Sequence, residues 1–238
     1  MRHLSRVLIG LVCCALSLSG EAQAQTVNKL FTEATKKLQL ACEKNLEGSL
    51  EQDTAPDKHT LQVNIQACQS ALTQTEKELG VDGQSPELAN MLEYLALAYQ
   101  HVENWQVAEP LYLRALALKT QLLGKEDAET AVSLNNLAVF YDAQDKLSLA
   151  IQYYKAASIV LNKTQGPADE NTLTTLSNLA AVYERNNQPD EALALYLQDV
   201  ARFDNQNSLE AVLSLNKLAA FYYNQNQDDK AEPLYLRA

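Results

Sequence analysis

One spacing of leucine, alanine and tyrosine recurs four times in this chain, and such a recurrence limits what it can fold into. The copies are Leu92, Leu95, Ala96, Tyr99; Leu134, Leu137, Ala138, Tyr141; Leu176, Leu179, Ala180, Tyr183; and Leu215, Leu218, Ala219, Tyr222. Each tyrosine is followed nine residues later by an alanine, at Ala108, Ala150, Ala192 and Ala231. Four residues beyond that stands a second tyrosine, at Tyr112, Tyr154, Tyr196 and Tyr235. Successive copies lie 42, 42 and 39 residues apart. Self-similarity at a fixed period of this length produces a solenoid, in which each unit contacts mainly its neighbours.

The spacing also fixes the secondary structure of the unit. Leu92, Leu95, Ala96 and Tyr99 stand at i, i+3, i+4 and i+7, one face of an α-helix, and Ala108, Tyr112 and Ala115 mark one face of a second. The polar stretch "QHVENW" between them has room for a turn and little else. Each unit is therefore predicted to be a helical hairpin. Alanine at the crossing lets two backbones approach while the tyrosines fill the space beside it. A larger residue at Ala96 or Ala108 would overpack the joint, at a cost of about 1–3 kcal/mol.

Leucine, a small residue and tyrosine, then alanine, tyrosine and alanine, resemble the tetratricopeptide repeat. The 42-residue period, with "LNNLAVFY" and "AEPLYLRALALKTQLLG", is similar to the kinesin-light-chain subtype. The resemblance implies an all-α fold, a right-handed α-solenoid of stacked antiparallel hairpins, with repeats over about 86–127, 128–169, 170–207 and 208–238. The departures are small. Leucine stands where the family has tryptophan or leucine early in the first helix. The third inter-repeat loop is three residues shorter and lacks the glycine found at Gly124 and Gly166.

In this family the first helices line a concave face that binds extended or helical peptides. Carried over by register, that face comprises Asn90, Glu93, Leu97 and Gln100 in the first copy, and Asn135, Val139 and Asp142 in the second. The third supplies Ser177, Ala181 and Glu184, and the fourth Asn216, Ala220 and Tyr223. Asparagine offers a peptide backbone a donor and an acceptor together. The same residues also suit ordinary solvated helix positions. A family variant that clamps a terminal carboxylate needs Lys and Arg. Here only Arg185 and Lys217 stand near, against Glu93, Asp142 and Glu184, so no clamp is expected.

Residues 1–24 read as a secretory signal. Arg2, His3 and Arg6 precede the apolar stretch "VLIGLVCCALSLSG", which is short for a bilayer span, and Ala22, Gln23 and Ala24 form a cleavage site. A retained anchor is the alternative. Cleavage leaves Cys42 and Cys68, an even number in a compartment that permits disulfides, so a Cys42–Cys68 bridge is expected, with two buried thiols as the alternative. Residues 25–85 read as a divergent amino-terminal hairpin that caps the stack. Val27, Leu30, Phe31, Ala34, Leu38 and Ala41 carry one helical stripe, and "TLQVNIQACQSALTQTEKELG" resembles the second helix of a repeat.

The whole chain has 30 acidic and 19 basic residues, a net charge of −11. Attraction to nucleic acid or to an anionic membrane runs through Lys and Arg, so neither is an expected partner. Protein or peptide partners that are neutral or basic fit better. No metal or cofactor is expected: His59 and His101 fall in different units, away from any ligand-spaced cluster, and no nucleophile elbow or phosphate-binding loop occurs. Trp105 reads as a hairpin plug. The expected function is an exported, non-catalytic scaffold for protein–protein interaction. The alternative is that these repeats, which break off at "AEPLYLRA" inside a helix, precede a catalytic domain such as a caspase-like peptidase in a larger protein.

Overall fold

The computed structural model describes residues 58–79, 84–203 and 208–238. The signal segment, Cys42 and the first half of the expected cap lie outside them. The described residues form nine α-helices and no strand. These are α1 (Lys58–Leu79), α2 (Pro86–His101), α3 (Trp105–Leu123), α4 (Ala128–Asp142), α5 (Leu147–Thr164), α6 (Glu170–Arg185), α7 (Pro189–Phe203), α8 (Leu209–Asn224) and α9 (Asp228–Arg237). The chain divides into two compact units, Met1–Leu118 and Lys119–Ala238.

The punctuation of the hairpins repeats as faithfully as their cores. The first helix of each repeat opens on a side-chain cap: Ser85 accepts from the Leu88 N–H, Asp127 from Glu129, Asp169 from Asn171 and Thr172, and Ser208 from Ala211. A short polar side chain satisfies N–H groups that have no partner within the helix. Each of these helices then ends on a residue in the left-handed region: Glu103, Asp145, Asn187 and Asn226, with φ of 56–59°. In each turn that residue's N–H returns to the carbonyl three back, and the next N–H to the carbonyl five back, as in Glu103 to Gln100 and Asn104 to Tyr99. This is a Schellman closure, which reverses the chain in the shortest polar stretch.

Asn and Asp tolerate the left-handed conformation better than other side chains, and glycine best. Glu103 is the exception among the four. Glu103→Gly is therefore expected to raise stability by about 0.5–1 kcal/mol, read as a higher denaturant midpoint at unchanged slope.

Core positions follow the expected spacing. Ala96, Ala138, Ala180 and Ala219 are buried, and so are Ala108, Ala150, Ala192 and Ala231. Leu95, Leu137, Leu179 and Leu218 are buried beside them. In the first unit, Ile65, Cys68, Ala71 and Leu72 of α1 share one cluster with Leu88, Met91, Leu92 and Leu95 of α2 and Ala115 and Leu118 of α3. Cys68 is fully buried there and is disulfide-bonded, while Cys42 lies outside the described residues. In the second unit each helix packs on the next, α4 on α5 through to α8 on α9. The signature tyrosines differ more than the alanines. Tyr112, Tyr141, Tyr154, Tyr183 and Tyr196 are buried, Tyr99 and Tyr222 half-buried, and Tyr235 exposed.

Two core positions carry an energetic fault. Thr130 and Thr172 are register equivalents, both buried, and neither hydroxyl has a hydrogen-bond partner among the described residues. Ala211 fills the same position in the fourth repeat. A buried hydroxyl without a partner costs about 1–3 kcal/mol. Thr172→Val keeps the shape and removes the oxygen, so it is expected to stabilise by about 1 kcal/mol, measured by thermal or chemical unfolding.

Candidate functional site

The periodic burial that builds the core also defines what remains outside it. On α2, Asn90, Glu93, Leu97 and Gln100 are all half-buried. Two of them already serve the first unit. Leu97 packs against its hydrophobic cluster, and Gln100 Oε1 accepts from the Tyr112 hydroxyl at 3.0 Å. Burial, followed by the Glu93 carboxylate, holds the Tyr112 phenol far above its usual range.

The second unit carries three first helices, α4, α6 and α8. Their register positions outside the core are Asn135, Ser177 and Asn216; then Val139, Ala181 and Ala220; then Asp142, Glu184 and Tyr223. All are half-buried except Ala181 and Tyr223, which are exposed. The structure joins many of the polar heads from one repeat to the next. Thr175 Oγ1 donates to Asn135 Oδ1 at 3.0 Å. Arg185 donates to Asp142 at 2.5 Å and to Asp145 at 2.7 Å. Lys217 donates to Ser177 Oγ at 2.6 Å and lies 3.7 Å from Asp199. The two cations that could have formed a carboxylate clamp are thus engaged by their own chain.

A second set of bonds closes hairpins from within. Tyr196 donates to Glu184 Oε1 at 2.6 Å, across the same 12-residue interval as Tyr112 and Gln100. Burial, then this hydrogen bond and the Glu184 charge, raise the Tyr196 phenol well above the ordinary value. Tyr154 is raised chiefly by burial and then by Asp142. A hydrogen bond from Asn178 and the charge of Arg185 oppose those effects. These phenols stay protonated and act as fasteners.

Register places Gln100, Asp142, Glu184 and Asn135 either at ligand contact or at ordinary solvated positions, and it does not reveal these structural duties. The signal was available. Asp142 and Asp145 in one copy pair with Arg185 in the next, a cation that follows Glu184, the register equivalent of Asp142, and whose own counterpart one copy earlier is the uncharged Ala143. Trp105 begins α3 and is half-buried, and His101 ends α2 with its imidazole depressed by burial.

Chemistry beyond hydrogen bonding is sparse. No group of three His, Cys, Asp or Glu among the described residues is placed to hold a metal. No helix among them is long and apolar enough to cross a membrane. A shallow concavity in the second unit is lined by Leu176, Ser177 and Ala180 of α6 and by Tyr196, Asp199 and Arg202 of α7, among others.

Helical hairpins with buried alanine crossings, left-handed turns and a half-exposed first-helix face define an all-α repeat protein of the interaction class. Tetratricopeptide repeat models match residues 87–158, 149–205 and 212–238, and the chain belongs to that family. Among solved structures, it is similar to a variant of a putative kinesin light chain with nearly identical tetratricopeptide-like repeats from Podosopora anserina. The TM-score is 0.72 at 20% identity, over 85% of this chain and 91% of that one. It is also similar to BtubC from P. vanneervenii, with a TM-score of 0.60 at 19% identity over 86% and 89% of the two chains. PilF of Pseudomonas aeruginosa matches with a TM-score of 0.55 at 18% identity, over 86% of this chain and 78% of that one. No curated protein matches the sequence.

Proposed function

We propose that this chain is an exported, non-catalytic interaction scaffold that takes a peptide or partner protein on the first-helix faces of its repeats. One observation carries the reading. The leucine, alanine and tyrosine positions of each first helix are largely committed to the core, while the intervening positions form a second register of small apolar and amide side chains outside it. Val139, Ala181 and Ala220 leave room for a ligand backbone, and Asn216 presents an amide that no other described residue engages. The acidic excess favours neutral or basic partners and disfavours nucleic acid. Family membership supports a protein partner.

Export rests on residues 1–24 and fits the disulfide at Cys68, which we assign to Cys42. Mass spectrometry of the protein recovered from its producing cells is expected to show Gln25 as the first residue and a peptide pair linking Cys42 to Cys68. An intact Met1, or a different pairing, contradicts these assignments. Partner capture tests the scaffold itself. With residues 25–238 as bait in the exported fraction, one enriched partner should be lost on Asn216→Ala with Tyr223→Ala while melting is unchanged. Capture that survives both changes contradicts the proposed face.

A further inference from the structure

The first-helix face of the second unit contains two carboxylates, and they are not equivalent. Asp142 is neutralised by Arg185, which also spans to Asp145. Glu184 has no cation partner among the described residues. Arg185, its neighbour in sequence, turns away from it to the preceding repeat, and among the described residues the Glu184 carboxylate accepts its hydrogen bond from the neutral Tyr196 phenol. That bond fixes the position of the carboxylate without cancelling its charge. At the same register on α8 stands Tyr223, the most exposed of the described tyrosines, at 63%. One turn earlier on the same two helices stand only small side chains, Ala181, exposed, and Ala220, half-buried. The Lys217–Ser177 bond shows that side chains of α6 and α8 meet across this face.

An uncompensated, pre-oriented carboxylate at the same register as an exposed aromatic ring on the neighbouring first helix, with only alanine one turn earlier on each, is complementary to a flat or slender cation. The carboxylate supplies a charge-assisted hydrogen bond, the ring a cation–π contact, and the alanines clearance for the aliphatic stem. We infer that Glu184 and Tyr223 form a recognition point for an arginine or lysine side chain of an extended peptide. This rests on the groove reading above and specifies its ligand. The negative charge of the chain as a whole assists the approach of such a peptide.

The test uses the full chain and three pools of N-acetylated, C-amidated decapeptides, randomised except for a central Arg, Gln or Glu. Glu184→Gln is the informative variant, because its amide oxygen still accepts from Tyr196. Wild-type protein is expected to retain the central-Arg pool about three- to tenfold over the central-Gln pool, with the central-Glu pool lowest, and added salt should narrow the gap. In Glu184→Gln the Arg-to-Gln ratio should fall to about one, and in Tyr223→Ala to an intermediate value. Equal retention of the three pools by wild type, or an arginine preference that survives both variants, overturns this inference and leaves the groove reading standing. Retention of no pool at all overturns both.

Discussion

Tyr154→Ala is expected to destabilise the second unit by about 3–5 kcal/mol, the range for truncating a large, fully buried aromatic side chain. Tyr154 is 1% exposed and sits on α5, which packs against both α4 and α6. Its removal therefore opens a joint inside the stack, where the loss is shared by two hairpin interfaces. Tyr154→Phe separates packing from polarity. It keeps the ring and forfeits the Asn178 hydrogen bond, and should cost only about 1 kcal/mol. Urea unfolding of the three proteins measures both values. Equal costs for the two variants would show that the hydroxyl, and not the ring, holds the joint.

Ala138→Leu is expected to cost about 1–3 kcal/mol by the opposite route, because there is no space beside a fully buried alanine at a helix crossing. The strain should spread to the hairpin of α6 and α7, since stability in a repeat array is carried by nearest-neighbour interfaces. Hydrogen exchange would report it as lowered protection in α4 and α6 together.

The fold was legible in the sequence because its determinants are local and repeated. Alanine and tyrosine at fixed spacing give both the helix face and the crossing point, and four copies in register remove ambiguity of phase. The turn residue was not read. Glu103, Asp145, Asn187 and Asn226 share a backbone conformation but not a side chain, so the position becomes visible only through φ. The exposed face was legible as a face and not as a set of roles. Register could place Asn135, Asp142 and Glu184 outside the core. It could not say that Thr175, Arg185 and Tyr196 reach them, because those contacts depend on how helices separated by 12 to 43 residues are set against one another.

That distinction decides how the face should be probed. Asn135 is a poor choice, since its removal leaves the buried Thr175 hydroxyl without its acceptor and would lower stability for reasons unrelated to a ligand. Asn216 and Tyr223 carry no such duty. The most direct measurement of the helix-face assignment is therefore a paired melting experiment on Ala138→Leu and on the double variant Asn216→Ala with Tyr223→Ala. The double variant should melt like wild type, within about 0.5 kcal/mol for positions outside the core, while Ala138→Leu melts clearly lower. If the double variant unfolds and Ala138→Leu does not, the faces are reversed, and the surface assigned here to ligand binding is the core.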